Sequence, residues 1–419
     1  MFFNYYNFSK NKEVQILTML FLFSFLIRIP VVIFYGDTNL EYEWKTLVDN
    51  LVEYKQLAWK DCEFSYSTTK VCLDEGFLLP NLWMPPLYVY YLYLFKFIGL
   101  QDQNYILLIL STQILFASLS VVVFYEINKI FFSKKLSLFS SIIFSIFPLH
   151  VYASSQISSI SLQTFLTILF IYLFFRILNY KKFSSILYFA FCAGLLILLR
   201  GEFYAILFLT LIYLFFLKLE IKKILMVVII TSITISPYLI RNVLIFDKFT
   251  MMKSFGYNLW KGNHPHAMEN SLVVGSEIVS EDFQKKLDLV PRDKFLRFNL
   301  DKIFFEEAVK NFKDEPAGHI VLVLKKAASF LLIDFNSPAS DYYNPLHYLP
   351  VLAVGITSLI GVGASYKKTR KFNYFILILF AYVFIFSTVS ILPRYKLIIL
   401  PMQLIFTNIL LESFKRFKK

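Results

Sequence analysis

Three arginines and a cluster of acids are the residues whose types and spacing could do chemistry. Arg200, Arg241 and Arg394 each follow a long apolar run, after Leu199, Ile240 and Pro393. A guanidinium presents a planar fork suited to phosphate, so three such groups near one plane could hold an anionic headgroup or a lipid phosphate; snorkelling at a membrane boundary would use the same residues. Asp37 and Glu41 stand just past the first apolar run, in Gly36-Asp37-Thr38-Asn39-Leu40-Glu41-Tyr42-Glu43-Trp44. A carboxylate beside an apolar wall can act as a general base if burial raises its pKa toward working pH. The competing reading is a solvated Asp at the start of a helix, with Glu41 in the first turn. A third candidate is the run Gly256 to His266, which includes Asn258, Trp260 and Asn263. Rings that stack and amides that meet hydroxyls suit a sugar, and a tight surface loop has the same composition. His264 and His266 have no Cys or acidic cluster near them to complete a metal set.

These groups must be positioned by a membrane protein. Of 419 residues 57% are hydrophobic and only 17% charged, against about 45–50% and about 25% in soluble chains. With 12 Gly, 14 Pro and 3 Cys, a disordered, collagen-like or disulfide-stapled chain is excluded too. The sequence reads as an all-α polytopic membrane protein with about ten transmembrane helices, roughly 14–35, 104–128, 136–153, 158–178, 184–199, 203–217, 224–239, 349–366, 372–391 and 396–413. Residues 85–99 follow Met84 as a juxtamembrane helix opened by Pro85 and Pro86. The run 14–35 is read as a retained first helix, not a cleaved signal.

The net charge of +13 takes its meaning from where it falls. With both termini cytoplasmic, the inner stretches collect nineteen Lys and Arg, while the short outer turns hold only Arg200, Arg394 and Lys396. Outer residues 37–83 carry nine acids against four Lys, and residues 241–347 carry fourteen of each sign. This distribution argues for contact with anionic membrane lipids and against a nucleic-acid partner. It divides the chain into a seven-helix module, 1–240, with an outer loop 36–84; an outer, mainly helical domain, 241–348; and a three-helix segment, 349–419. Within the outer domain, 293–312 and 319–335 read as helices, the second lying on the membrane surface. Cys62 and Cys72 share the outer loop and could be bridged or free. Arg28 is the main charge inside a helix, and without intramembrane acids the chain does not read as an ion-coupled transporter.

The order of several short motifs resembles the polytopic GT-C glycosyltransferases related to protein O-mannosyltransferases and the aminoarabinose transferase of lipid A. They are Gly36-Asp37 with Glu41-Tyr42, Pro85-Pro86-Leu87-Tyr88, Leu199-Arg200-Gly201-Glu202, Ser236-Pro237-Tyr238-Leu239-Ile240-Arg241-Asn242, Asn258-Leu259-Trp260-Lys261-Gly262-Asn263, and Pro393-Arg394-Tyr395-Lys396. The resemblance implies an inverting glycosyltransferase of the inner membrane. It would take a sugar from a polyprenyl-phosphate donor to a glycolipid, polysaccharide or protein acceptor at the outer face. Asp37, with Glu41, would be catalytic; Arg241, with Arg200 and Arg394, would hold the donor phosphate. Tyr42, Tyr88, Asn258, Trp260 and Asn263 would bind substrate. No cofactor is implied, and assistance by a divalent metal stays open. The sequence departs from the family pattern in the loop Tyr152–Ile160, where many relatives carry a second acid and this chain has none; Glu41 or Glu43 could substitute. Trp83-Met84 before Pro85 also departs from the aminoarabinose transferases. A non-enzymatic flippase for a lipid-linked sugar is the alternative, although it would need a polar path through the bundle.

Overall fold

A computed structural model describes residues 2–60, 78–99, 102–180, 182–365 and 369–417. Cys62 and Cys72, and with them the question of a bridge, lie outside the described residues. The fold is almost wholly helical, and the chain is a multi-pass membrane protein. Among the described residues six helices are long and apolar enough to cross a membrane, α1 (Phe2–Tyr35, its apolar part from Lys12), α4 (Asp102–Phe131), α7 (Ile160–Tyr180), α10 (Ile221–Phe246), α16 (Pro345–Ala364) and α18 (Lys396–Phe417). The shorter apolar helices are α8 (Phe183–Leu199), α9 (Phe203–Phe216) and α17 (Asn373–Thr388). Neighbours along the bundle include α1 with α4, α4 with α7, α7 with α8, α8 with α10, and α16 with α18. Gly361 lets the last pair close, because a Cβ there would fall 2.0 Å from the Phe406 carbonyl oxygen.

Two proline positions shape the bundle differently from their reading in sequence. The span expected over 136–153 is broken into α5 (Lys134–Ile146) and α6 (Pro148–Ala153). Pro148 takes the first helical position and drives Phe147 into an extended conformation, φ −61° and ψ 119°. The span expected over 224–239 ends just past Pro237, yet α10 runs on to Phe246. Proline has no N–H for the Ile233 carbonyl, and the Ser236 hydroxyl donates to it instead at 2.9 Å.

One end of the bundle is capped by the remaining elements: α2 (Tyr42–Glu53), α3 (Pro86–Phe97), α11 (Phe255–Gly262), α12 (Pro265–Glu269), α13 (Glu281–Asp288), α14 (Leu296–Asp314) and α15 (Pro316–Leu331). The expected juxtamembrane helix is α3, with Pro86 at its first turn. A two-stranded antiparallel pair not foreseen in the sequence, β1 (Ala58–Lys60) and β2 (Leu78–Pro80), lies beside α2, with Trp59 opposite Leu79. Helix ends and short turns at the other end carry Lys129, Lys134, Lys182, Lys218, Lys222, Lys223, Arg370 and Lys371. Lys129 is paired there with Glu13 and Glu126.

Candidate active site at the capped end

Asp37 is held in the loop between α1 and α2, well before the helix begins. Glu41 takes the N-cap position of α2, and its side chain makes no cap hydrogen bond. The Asp37 N–H donates to the Ser155 carbonyl at 3.0 Å, and its carboxylate accepts the Ile157 N–H at 2.6 Å. The loop after α6 therefore supplies no acid, but it supplies the backbone that orients one. Gln156 adds a bond to the Tyr35 carbonyl, and Gln113 of α4 braces the same loop by donating to the Gln156 carbonyl and accepting from Ser158. The Tyr88 hydroxyl also donates to Gln113, at 3.1 Å. Tyr88 is buried against Trp44, ring centroids 4.9 Å apart. Burial first, then the charges and rings around it, Glu41 and Asp37 included, push this phenol well above its ordinary pKa. Tyr88 is thus part of the wall behind the acids, while Tyr42 is exposed beside them.

Glu43, in the first turn of α2, connects this acidic side to a basic one. Burial raises its pKa, Glu41 and Glu277 add to the shift, and Arg297 and Arg394 oppose it. Four segments distant in sequence thus send charged groups into one electrostatic neighbourhood. Arg394 is exposed in a short 3-10 turn, Pro393–Tyr395, its guanidinium carbon 5.8 Å from the centre of the Tyr395 ring. Arg200 lies 5.0 Å from that same ring. Its Nε donates to Glu202 at 2.9 Å, and Gln163 of α7 donates to the same carboxylate oxygen. Two of the three candidate arginines therefore meet at one tyrosine.

Arg241 is used differently. Its guanidinium donates to the carbonyls of Asn81 (3.0 Å) and Leu57 (2.8 Å) and to Asn242 Oδ1 (2.7 Å). It clamps the chain entering β1 and leaving β2 onto α10. Asn81 is the other half of that clamp: its side-chain oxygen accepts from Trp59 Nε1 and from the N–H groups of Trp83 and Met84. This fixes Trp83, whose ring meets Tyr257 at 4.7 Å and lies under the Arg297 guanidinium at 5.1 Å.

The run 256–266 forms α11 and the start of α12. Asp301 accepts the N–H of Gly256 at the first turn of α11. A Cβ on Gly262 would fall 2.4 Å from the Val389 backbone, so glycine lets α11 seat on the end of α17. Trp260 is only 2% exposed and packs among Phe283, Phe304 and His264. Asn258 bonds to the Ser254 carbonyl; Asn263 donates to Leu259 and Thr388. As placed, Trp260 and Asn263 hold the capping layer together, and Tyr257 is the member of this run that reaches the site, its hydroxyl donating to Glu277 at 2.7 Å. His264 caps α12 by accepting the His266 N–H.

Sequence reasoning did not single out Arg297, Glu277, Gln113 or the Ile157 N–H. Arg297, Glu277 and Gln113 stand in none of the motifs, and the Ile157 N–H belongs to the loop Tyr152–Ile160, which was read only for its missing acid. Lys396 was read as an outer charge and as the end of the Pro393-Arg394-Tyr395-Lys396 motif. Its buried ammonium donates to the Ser329, Phe330 and Leu332 carbonyls, three donors for three acceptors at the C-terminal end of α15. It thereby anchors the turn that presents Arg394.

No family model and no curated protein sequence matches the chain. Solved structures do. Archaeal oligosaccharyltransferase AglB from Archaeoglobus fulgidus, in complex with an inhibitory peptide and a dolichol-phosphate, superposes with a TM-score of 0.58 at 14% identity over 98% of this chain. The Archaeoglobus fulgidus oligosaccharyltransferase tethered to an acceptor peptide gives a TM-score of 0.57 at 13% identity, again over 98% of this chain. The chain spans about half the length of these structures, 51% and 50%. What the similarity establishes is architecture: this chain shares its fold with about half of the Archaeoglobus fulgidus oligosaccharyltransferase.

Proposed function

We propose that this protein is an inverting glycosyltransferase of the cell membrane that moves a sugar from a polyprenyl-phosphate donor to an acceptor at the outer face. The observation that supports the reading is that Glu43, one turn from the Asp37 loop, feels the charge of Arg394, which shares the Tyr395 ring with Arg200 at the capped end of this fold. The basic turns at the opposite end support an outward orientation of the cap by the positive-inside rule. A lipid-linked donor agrees with the dolichol-phosphate named for the solved oligosaccharyltransferase, and the peptides named with it keep a protein acceptor beside a glycan or glycolipid.

In the proposed reaction Asp37 takes the proton of the acceptor hydroxyl, and that oxygen attacks the anomeric carbon. The bond from that carbon to the phosphate oxygen breaks on the opposite face, and the polyprenyl phosphate leaves with the electron pair. Arg394 and Arg200 meet the charge that develops on the phosphate; preorganised groups of this kind supply several kcal/mol. Arg241 acts through the hairpin that it clamps. Glu43, biased toward its protonated form, is the candidate second carboxyl.

The test is reconstitution into liposomes with a radiolabelled polyprenyl-phosphate sugar and a set of glycolipid and peptide acceptors. Transfer of label with inversion at the anomeric carbon is expected. Movement of the labelled lipid across the bilayer without any transfer would instead establish the flippase alternative.

A further inference from the structure

An apolar groove of about 570 Å³ runs along the side of the bundle, between α3, α4, α7 and α8. Its floor is one stripe of α7, from Leu162 through Leu166, Leu169 and Leu173 to Arg176. At 1.5 Å per residue that stripe is roughly 21 Å long, most of the ~30 Å hydrocarbon thickness. Tyr188 and Phe191 of α8 form an open rim, 54% and 50% exposed, so the groove faces the lipid.

Its chemistry is asymmetric. The walls are hydrocarbon and aromatic, and the charged group among the lining residues is Arg176, at the end away from the candidate active site. Among the described residues Arg176 makes no ion pair. A guanidinium within a spanning helix requires a counter-charge or water, and its fork matches phosphate oxygens. Lys182, exposed in the turn after α7, adds positive charge at the same end. We infer that this groove is a binding site for one anionic glycerophospholipid, its phosphate on Arg176 and one acyl chain along the α7 stripe. The occupant enters from the leaflet opposite the candidate active site, so the site is separate from the donor's.

Native mass spectrometry of the full chain in detergent tests this, with phosphatidylglycerol, phosphatidylcholine and undecaprenyl phosphate offered singly. One retained phosphatidylglycerol is expected, held in preference to the other two. Arg176→Gln should weaken retention roughly fivefold, as for one basic side chain at a lipid surface. Leu169→Trp, which fills the floor, should abolish it, and Lys222→Gln, a basic residue outside the groove, should leave it unchanged. Equal retention of phosphatidylcholine, preference for the isoprenoid phosphate, or an Arg176→Gln variant that binds normally would each overturn the inference. Should either groove variant fail to fold, photoactivatable phosphatidylglycerol on the wild-type chain decides: labelling of α7 and α8 supports the site, and labelling elsewhere removes it.

Discussion

Replacing Asp37 by Asn separates the chemical role of this carboxylate from its structural one. The amide oxygen of the substituted side chain can still accept the Ile157 N–H that Asp37 holds at 2.6 Å, and the backbone N–H bond to Ser155 is untouched. What changes in the fold is one charge-assisted bond made neutral, a loss of about 1 kcal/mol. The chemical loss is larger. A positioned base contributes about 10²–10⁴-fold, or ~2.7–5.4 kcal/mol of barrier at 1.36 kcal/mol per decade. Turnover of lipid-linked donor under saturating substrates should therefore fall by at least about a hundredfold, while thermal unfolding in detergent shifts little and donor binding persists. Asp37→Ala is the control in the opposite sense, because it strands the Ile157 N–H and should cost ~1–3 kcal/mol of stability as well. An Asp37→Asn enzyme within about tenfold of wild type would refute the assignment of the base. The assignment falls equally if the Asp37→Asn variant loses activity only in proportion to its lost stability.

Arg394→Ala should raise the KM for donor roughly tenfold, about 1.4 kcal/mol, and leave the acceptor KM unchanged; an unaltered donor KM would remove Arg394 from the phosphate site. Arg241→Ala should act chiefly on stability, by ~1–3 kcal/mol, because it strands the Asn81 and Leu57 carbonyls; a purely kinetic defect in a fully stable variant would contradict the clamp. Lys326 is fully buried beside Asn263, and burial brings its pKa down to about 7 from an ordinary 10.5. The unfolded chain then holds one more proton than the folded one between those values, so stability should climb with pH from about 7 upward, at ~1.4 kcal/mol per unit. Lys326→Met should flatten that climb in melting curves from about pH 6 to about pH 9. Lys396→Met leaves three carbonyls at the end of α15 unmet and should expose that segment to limited proteolysis, with unchanged digestion arguing against the anchor.

Much of the membrane architecture was legible because hydropathy over ~20 residues is a strong signal that neighbours seldom override. The apolar runs became helices close to their expected ranges, and Pro85-Pro86 opened α3. The sequence was weakest where one side chain changes the outcome for a backbone group. The expected span stopped two residues after Pro237, whereas α10 continues through it, with the Ser236 hydroxyl meeting the Ile233 carbonyl that proline leaves without its N–H. Trp260 and Asn263 look like ligand groups from their types, yet both are buried in the cap. Arg200, Arg241 and Arg394 are equivalent in spacing relative to apolar runs; partners such as Tyr395 and Asn81, far away in the chain, make them different. Residue type thus marked three guanidinium groups suited to phosphate, and tertiary contacts give Arg241 a structural task that Arg394 does not share.

The unbroken course of α10 past Pro237 has a mechanical consequence. The stretch from Tyr238 to Phe246 adds about 13 Å of stiff rod, at 1.5 Å per residue, beyond the proline. Arg241 sits partway along that rod and grips the hairpin beside α2 and α3. A tilt of roughly 10° about the proline would carry the rod's tip by about 2 Å, and the gripped hairpin, with Trp83 behind it, would swing in the same direction. Changes in bilayer thickness that lean this helix would therefore be passed to the strand pair and to Trp83 beside α2 and α3.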